Sequence, residues 1–397
     1  MNYQNENAAT GRQILPDLTR AYALFGIALV NVAALSWPAM TAYYGGGLET
    51  GLDKGAYFLV NALFLLKAYT LFSFMFGVGF AYQIRSAERR GTAFAGQYWR
   101  RILGLLILGV LHVALLYQGD ILIMYAILGS ILFLFRRASE RTLVRWAIGI
   151  YVVQVLVMGG MAGIVWLGYE YAPEEMAAAV RETQQSDELA FAVFGGGTFA
   201  ETVALRIEEW TQILPYSLLM QGFGAFSFFL FGLAAVRHGA IANPSDPIWR
   251  RARRLYLPVG LAGSIAGAWV ILGADDFLDP ALVFGMFLIT LFSPFASAGY
   301  IGLMARWAEG PAGPVKTFFA RGGTATLTAY LLQSLLFSVV FNGYGLGLFG
   351  EVGAAGSIAI AFLIAFISIV FCSLWRTRFS RGPMEALLRG WTYLGAR

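Results

Sequence analysis

Residues 99–129 read WRRILGLLILGVLHVALLYQGDILIMYAILG, two long apolar runs joined by the turn Gln118-Gly119-Asp120. Each run approaches the roughly 20 apolar residues that one helical membrane crossing requires. The whole composition agrees, because 58% of the residues are hydrophobic and only 13% are charged, which is unusual for a soluble domain. The sequence therefore predicts an integral membrane protein.

Apolar runs on both sides of this stretch predict an all-α, polytopic transmembrane bundle with about ten crossings. The predicted crossings lie near 18–38, 57–83, 99–117, 120–136, 142–168, 210–237, 254–273, 281–306, 323–343 and 353–376. Residues 18–376 are thus expected to form one transmembrane domain. A polar N-terminus, residues 1–17, and a basic C-terminal segment, residues 377–397, flank it.

The basic residues are distributed unevenly among the predicted loops. The two termini and the loops between alternate crossings contain 24 of the 28 lysines and arginines. By the positive-inside rule, both termini are predicted to be cytoplasmic. The net charge of +5 follows from this topology, so no nucleic-acid partner is expected.

The longest predicted outer connection, at about 169–209, is acidic and is expected to include a short surface helix or two. It is either a lid over an outer opening or an acidic, solvated excursion. Metal chemistry is not expected, because the chain has one cysteine, Cys372, and two histidines, His112 and His238.

Three ionisable residues, Lys67, His112 and Asp120, lie within or at the ends of apolar runs. A charge at membrane depth costs several kcal/mol unless it is paired, hydrated or facing a cavity, so each is a functional candidate. Counting at roughly 1.5 Å per helical residue places them in the outer half together with Asn31. Three further polar residues lie nearer the midplane and extend this polar path: Gln221, Gln333 and Ser334.

Each candidate also has a structural interpretation. Asp120 precedes an apolar helical run and is a good N-cap residue, and His112 could be a neutral core histidine. The amides of Asn31, Gln221 and Gln333 could join helices. Lys67 needs a carboxylate, an anion or water. Small-residue spacings such as Ser73/Gly77/Ala81 predict close helix packing.

Several stretches resemble the YeiB family of bacterial membrane proteins. They are LFSFMFGVGFA at 71–81, the opening stretch at 99–129, GGTATLTAYLLQSLLFSVVFNGYGLGLFG at 322–350 and SLWRTRFSRGPMEALLRGWTYL at 373–394. The resemblance implies a multi-pass protein of the bacterial inner membrane, with lipid as its surroundings. The family distantly resembles transmembrane acyltransferases of the type-three and heparan-glucosaminide groups. Those enzymes move an acyl group from cytoplasmic acyl-coenzyme A to an acceptor on the far side.

The acyltransferase resemblance is incomplete at its catalytic residues. Arg20 is followed by ten residues and then Asn31, where the type-three enzymes carry histidine. The loop SWPAMTAYYGGGLETGLDKG, residues 36–55, also lacks the histidine of the heparan-glucosaminide group. If the chemistry is retained, His112 is the expected general base, with Asp120 selecting its tautomer.

The same resemblance gives roles to the remaining candidates. Lys67 and Asn31 would stabilise the carbonyl oxyanion in the transition state. Arg20, Arg100 and Arg101 would bind the phosphates of acyl-coenzyme A, and the acceptor would be a small molecule or a glycan.

Two other classes of function stay open. In a transporter or flippase, Lys67 would bind an anionic substrate while His112 and Asp120 relay protons. In a sensor or assembly protein, Lys67 and Asp120 would merely pair. An oligomer is compatible with the sequence but is not predicted by it.

Overall fold

Helices account for all regular structure in the computed structural model, which describes residues 13–394 and contains no β-strand in that range. The first nine helices are α1 Ile14–Ser36, α2 Thr41–Tyr44, α3 Gly51–Leu63, α4 Lys67–Arg90, α5 Phe94–Leu115, α6 Leu122–Leu132, α7 Glu140–Tyr171, α8 Pro173–Gly196 and α9 Phe199–Ser217. The next eight are α10 Phe223–His238, α11 Pro247–Arg251, α12 Leu257–Ile271, α13 Pro280–Glu309, α14 Pro314–Gly322, α15 Thr326–Phe341, α16 Ala354–Arg378 and α17 Pro383–Thr392.

About eight of these segments are long and apolar enough to cross a membrane. Among the described residues they are Ile14–Ser36, Gly51–Arg90, Phe94–Leu115, Glu140–Tyr171, Phe199–His238, Pro247–Ile271, Pro280–Glu309 and Ala354–Arg378. The pair α14 and α15 would add a ninth span, but it is bent by 77°. Helix α6, continued by a 3-10 turn to Phe135, is apolar but shorter. The all-α multi-pass bundle is confirmed, whereas the count of ten crossings stays a prediction.

The basic loops meet at one end of the bundle, which we call the basic end. Arg237 donates to the carbonyl of Arg136 at 2.8 Å, and the Trp391 indole donates to the carbonyl of Arg100 at 2.8 Å. The opposite end contains the acidic connection at about 169–209, and we call it the acidic end. There Gly350 N donates to Ser36 O at 2.8 Å. Which end faces the cytoplasm stays a prediction. Residues 1–12 of the predicted N-terminus and 395–397 of the predicted C-terminal segment lie outside the described residues.

The predicted second crossing, 57–83, is divided into two helices. Helix α3 ends at Leu63 and α4 begins at Lys67, with Leu66 in the left-handed region at φ 62°. A broken helix inside an apolar bundle frees backbone groups that have no water to bind. Side chains satisfy two of them, because Tyr300 Oη donates to Leu63 O at 2.8 Å and Lys67 Nζ donates to Asn61 O at 3.3 Å.

A second irregularity lies between α9 and α10. Residues Leu218–Gly222 form a π-helical turn, three residues after Pro215 inside α9. The buried Gln154 side chain of α7 compensates for it. Its Nε2 donates to Met220 O at 2.6 Å, and its Oε1 accepts from Gly224 N at 3.0 Å. This turn contains Gln221, one of the candidates from the sequence, and π-turns are frequent at functional sites.

The predicted acidic connection at about 169–209 is mostly helical. Helix α8 occupies 173–196 and α9 begins at Phe199, whereas the sequence indicated only a short surface helix or two. Both helices have sequence signals at their N-termini. Pro173 occupies the first position of α8, and Thr198 with Glu201 forms a capping box on α9.

The core of the bundle includes an unusually close contact between α4 and α10. A Cβ atom at Gly77 would lie 2.0 Å from Phe229 O, and one at Gly232 would lie 2.0 Å from Phe74 O. Only glycine therefore permits this approach on either helix. This contact confirms the close packing that the Ser73/Gly77/Ala81 spacing predicts.

We expect Gly77→Ala to destabilise the protein by about 1–3 kcal/mol, because the added methyl overpacks a rigid backbone contact. Gly79→Ala on the same helix is the matched control, since nothing lies within 4 Å of a Cβ there. The free energy of unfolding would be measured by reversible SDS titration of the solubilised protein. Equal stability of the two variants would contradict the proposed contact.

The C-terminal helix α17 completes α15 at the basic end. Glu385 Oε1 accepts from the backbone N of Leu327 at 2.7 Å and of Thr328 at 3.2 Å, and Oε2 accepts from Thr328 Oγ1 at 2.6 Å. These are the free amides of the first turn of α15. A carboxylate here also opposes the positive end of the helix dipole.

Candidate functional site

A continuous hydrogen-bonded chain joins Asp120, His112 and Ser334. Asp120 Oδ2 lies 2.7 Å from His112 Nδ1, and His112 Nε2 lies 2.8 Å from Ser334 Oγ. The side chains of His112 and Asp120 are fully buried, and Ser334 is 3% exposed. The structure thus brings together three sequence candidates, one of which was predicted only as a midplane polar residue.

The turn between α5 and α6 positions the carboxylate of Asp120. Its second oxygen, Oδ1, accepts from Ile123 N at 2.7 Å, so Asp120 also caps the first turn of α6 as predicted. Gly109, three residues before His112, lets this turn approach α5. A Cβ at Gly109 would lie 2.9 Å from Asp120 Oδ1 and 2.9 Å from Ile123 N.

The bonding pattern assigns one histidine tautomer. A carboxylate that accepts from Ile123 N also accepts from His112, so Nδ1 carries the proton. In the neutral imidazole, Nε2 is then unprotonated and accepts from the Ser334 hydroxyl. The aromatic ring of Tyr330 packs beside the imidazole, with ring centroids 4.9 Å apart.

A cavity of about 190 Å³ lies near the acidic end, next to this chain; we call it the acidic-end cavity. Most of its lining residues are aliphatic or aromatic. The polar residues in its wall include Asn31, Asn61, Gln118, Asp120, Ser217 and Gln221. Asn31, Asp120 and Gln221 therefore line one cavity, although the sequence places Gln221 nearer the midplane than the other two.

Other candidates lie behind or away from the cavity wall. His112 and Ser334 are covered by Tyr330 and Asp120, which line it. Lys67 is fully buried at the α3–α4 break, and no carboxylate among residues 13–394 lies within ion-pair distance of it. Gln333 points to α1, where Nε2 lies 3.4 Å from Leu24 O.

The three candidate phosphate ligands lie at the basic end. Arg20 pairs with Asp17 at 3.1 Å, and Arg100 donates to the carbonyl of Leu394. Arg101 is partly buried, and its Nε has no hydrogen-bond partner among the described residues. Arg101 precedes His112 by eleven residues on α5, which is roughly 16 Å along the helix axis, so the structure does not bring these arginines into contact with the His112 chain.

Sequence reasoning missed Arg206, which is 1% exposed. Its guanidinium donates to Leu115 O at 3.1 Å, Asn342 Oδ1 at 3.1 Å and Tyr344 Oη at 3.2 Å. It thereby ties α9 to the end of α5 and to the segment after α15. The sequence places Arg206 in the predicted outer connection at about 169–209, where a cation is expected to be solvated.

Helix α8 packs over the same end of the bundle. Thr41 donates to Asp187, Gly343 N donates to Phe194 O at 2.7 Å, and the Trp37 and Phe191 rings lie 5.7 Å apart. Burial raises the pKa of Asp187 above its ordinary value, while the Thr41 hydrogen bond acts in the opposite direction. Because Trp37 also lines the cavity, α8 lies close to its rim.

We expect Asp120→Ala to destabilise the protein by about 2–4 kcal/mol, because it removes a helix cap and leaves buried His112 Nδ1 unpaired. Asp279→Ala is the matched control. Asp279 caps α13 through Ala281 N at 2.7 Å but bonds no histidine, so its loss should cost only about 1 kcal/mol. Circular dichroism during SDS titration measures both. Equal losses would refute a structural link between Asp120 and His112.

Comparison with known proteins gives the family. Uncharacterized protein YxaH of Bacillus subtilis (strain 168) is 30% identical over 393 residues, 95% of this chain and 93% of its own length. The chain belongs to the YxaH family. Uncharacterized protein YeiB of Escherichia coli (strain K12) is 26% identical over 404 residues, covering 97% of each chain, which confirms the resemblance to YeiB.

A family model and a further relative each match part of the chain. A family model described as a protein of unknown function (DUF418) matches residues 235–395. An uncharacterized 39.9 kDa protein in the amylase 3' region of Bacillus acidopullulyticus is 36% identical over 124 residues, 31% of this chain and 34% of its own. No solved structure matches the chain. The protein is thus a multi-pass membrane protein of a bacterial family, and the acyltransferase resemblance stays a prediction.

Proposed function

We propose that this protein is a membrane acyltransferase in which Ser334, His112 and Asp120 form the reaction centre. The observation that carries the proposal is the bonded chain of carboxylate, imidazole and hydroxyl, at 2.7 and 2.8 Å. This order of groups activates a serine in many acyl-transfer enzymes, irrespective of their folds.

The geometry favours a two-step reaction over direct attack by the acceptor. His112 Nε2 already bonds Ser334, so it takes the proton of Oγ while Oγ attacks the carbonyl carbon of an acyl thioester. The carbon–sulfur bond breaks, and the imidazolium protonates the departing thiolate. An acceptor hydroxyl then loses its proton to His112 and attacks the serine ester, and Ser334 Oγ recovers that proton.

Access to this centre requires movement of the cavity wall, because Tyr330 and Asp120 separate it from the acidic-end cavity. The topology that fits the reaction has ten crossings, a cytoplasmic basic end and an inner-membrane location. Cytoplasmic acyl-coenzyme A would then meet Arg20, Arg100 and Arg101. The unpartnered Nε of Arg101 supports a phosphate contact there.

We expect Ser334→Ala and His112→Ala each to lower acyl transfer at least about 1000-fold, because each removes a reacting group. Ser338→Ala is the matched control, one turn further along α15 and bonded to Tyr344 instead of histidine. Transfer from radiolabelled acyl-coenzyme A donors would be measured on protein in nanodiscs. Mass spectrometry should find an acyl group on the wild-type peptide containing Ser334.

The proposal fails if the wild type shows neither turnover nor an acylated Ser334 with any acyl-coenzyme A tested. It also fails if Ser334→Ala retains the turnover of Ser338→Ala. Retention of activity by Ser334→Ala with its loss in His112→Ala would return the mechanism to direct attack by the acceptor.

Lipid or solute transport is the second candidate, favoured by the helix break beside the cavity. Phe64, Leu65 and Leu66, which join α3 to α4, line the cavity. Interrupted helices surround the binding sites of many transporters. In this alternative Lys67 acts at the break, since its Nζ bonds Asn61 O behind the cavity wall.

If transport is the function, Lys67→Met should reduce lipid movement several-fold, because it removes the donor that closes the break. Lys54→Met, at an exposed position of α3, is the control. The measurement is dithionite quenching of a fluorescent phospholipid in proteoliposomes. Unchanged movement in Lys67→Met would eliminate this role for Lys67.

A further inference from the structure

The wall of the acidic-end cavity is largely apolar and contains several polar side chains but, among the described residues, no basic one. Among the residues that the structure describes, no lysine, arginine, histidine or glutamate lines it. The one charged side chain in the wall belongs to Asp120, and both of its oxygens already accept hydrogen bonds. A ligand of this cavity therefore meets neutral donors and acceptors within a largely apolar surface.

Asn61 supplies an unused donor to this cavity. Its side chain is 6% exposed, and its Nδ2 has no hydrogen-bond partner among residues 13–394. Asn61 lies in the last turn of α3 and lines the cavity. Because an unpaired buried amide costs free energy, a ligand that accepts a hydrogen bond from Nδ2 recovers that cost.

Lys67, the charged residue at the helix break, contacts Asn61 from the side away from the cavity. Lys67 Nζ donates to the backbone carbonyl of Asn61 at 3.3 Å and is itself fully buried. This bond joins the end of α3 to the start of α4 at the residue that carries the unused donor. In this arrangement Lys67 supports Asn61 from behind the cavity wall, whereas the sequence predicts a direct contact with substrate.

The charge distribution selects among possible acceptor groups. An anion would lose its hydration without contacting a cation, because Lys67 lies behind the wall with its Nζ bonded to Asn61 O, and the Asp120 carboxylate would repel it. An ammonium cation cannot accept a hydrogen bond from Asn61 Nδ2. A neutral carbonyl at the end of an apolar chain fits both the donor and the aliphatic surface around it.

We propose that Asn61 Nδ2 binds the carbonyl oxygen of a neutral acyl group in the acidic-end cavity. This inference rests on the proposed acyl transfer for its ligand class, because a thioester, ester or amide carbonyl is what such an enzyme must hold. Asn61 was not a candidate from the sequence. Its role is defined by the break that ends α3 and by the unused donor there.

The test is photolabelling of the full-length protein in nanodiscs with an octanamide that carries a diazirine on its chain. Labelled peptides would be located by mass spectrometry. The wild type should be labelled on residues that line the cavity, and unlabelled octanamide should compete. Octanoate and octylamine, which carry opposite charges on the same chain, should compete about tenfold less well.

Two substitutions separate binding from folding. Asn61→Asp keeps the side-chain size while removing the donor, and Asn61→Leu removes all polarity. Both should lower labelling of the cavity residues by the octanamide probe about tenfold. Gln83→Leu is the matched control, because Gln83 lies on α4 and its amide bonds Gly79 O at 3.2 Å, away from the cavity. Each variant must elute as the wild type does in size-exclusion chromatography.

Absence of cavity labelling in the wild type would overturn the proposal, as would equal labelling of Asn61→Asp and Gln83→Leu. Equal competition by octanoate would also overturn it. Labelling needs no turnover, so the two proposals fail separately. Labelling that depends on Asn61 without any acyl transfer would keep the binding site and reject the enzyme, whereas transfer without such labelling would do the reverse.

Discussion

Backbone hydrogen bonding in an apolar medium is the constraint on which this structure depends. Each helix interruption within the bundle frees carbonyls and amides that lipid cannot satisfy. The protein resolves this with long polar side chains. Tyr300 and Lys67 close the α3–α4 break, Gln154 closes the π-helical turn before α10, and Arg206 closes the end of α5. A buried polar residue such as Lys67 can therefore have a structural role even though its position in an apolar segment indicates a catalytic one. The functional groups are then sought among the polar side chains that do not complete the hydrogen bonding of the backbone.

The polar interior contains two regions that differ in whether their hydrogen bonds are satisfied. The Asp120–His112–Ser334 chain is bonded at every link, so it is prepared for proton transfer but closed to the cavity beside it. The cavity has the opposite character, because it contains an amide with an unused donor and no basic residue among those described. A reaction that uses both requires Tyr330 to change position, since its ring lies against the imidazole and also forms part of the wall. The motion of one aromatic side chain would then control access.

The sequence predicts the class of fold and part of the site. Hydropathy identifies the apolar helices, and the spacing from His112 to Asp120 suffices to join them, because a short turn brings residues eight apart into contact. The helix break at Leu66 was not predicted, since Phe64, Leu65 and Leu66 are as apolar as their neighbours. A prediction that lacks this break treats Asn61 as an ordinary amide within a crossing. It also places Lys67 in a cavity that Lys67 does not line. Partners distant in the chain, such as Ser334 for His112, depend on tertiary packing that no local pattern records.

The cap that Glu385 places on α15 has a consequence for biogenesis. The free amides of Leu327 and Thr328 receive their acceptor from a helix that leaves the ribosome nearly 60 residues later. Helix α15 contains Ser334, so the helix that carries this residue is synthesised before the acceptor for its N-terminal amides. Until α17 is synthesised, water at the basic end or the insertion machinery must supply hydrogen-bond acceptors for those amides. The capping of α15 is thereby coupled to the synthesis of α17.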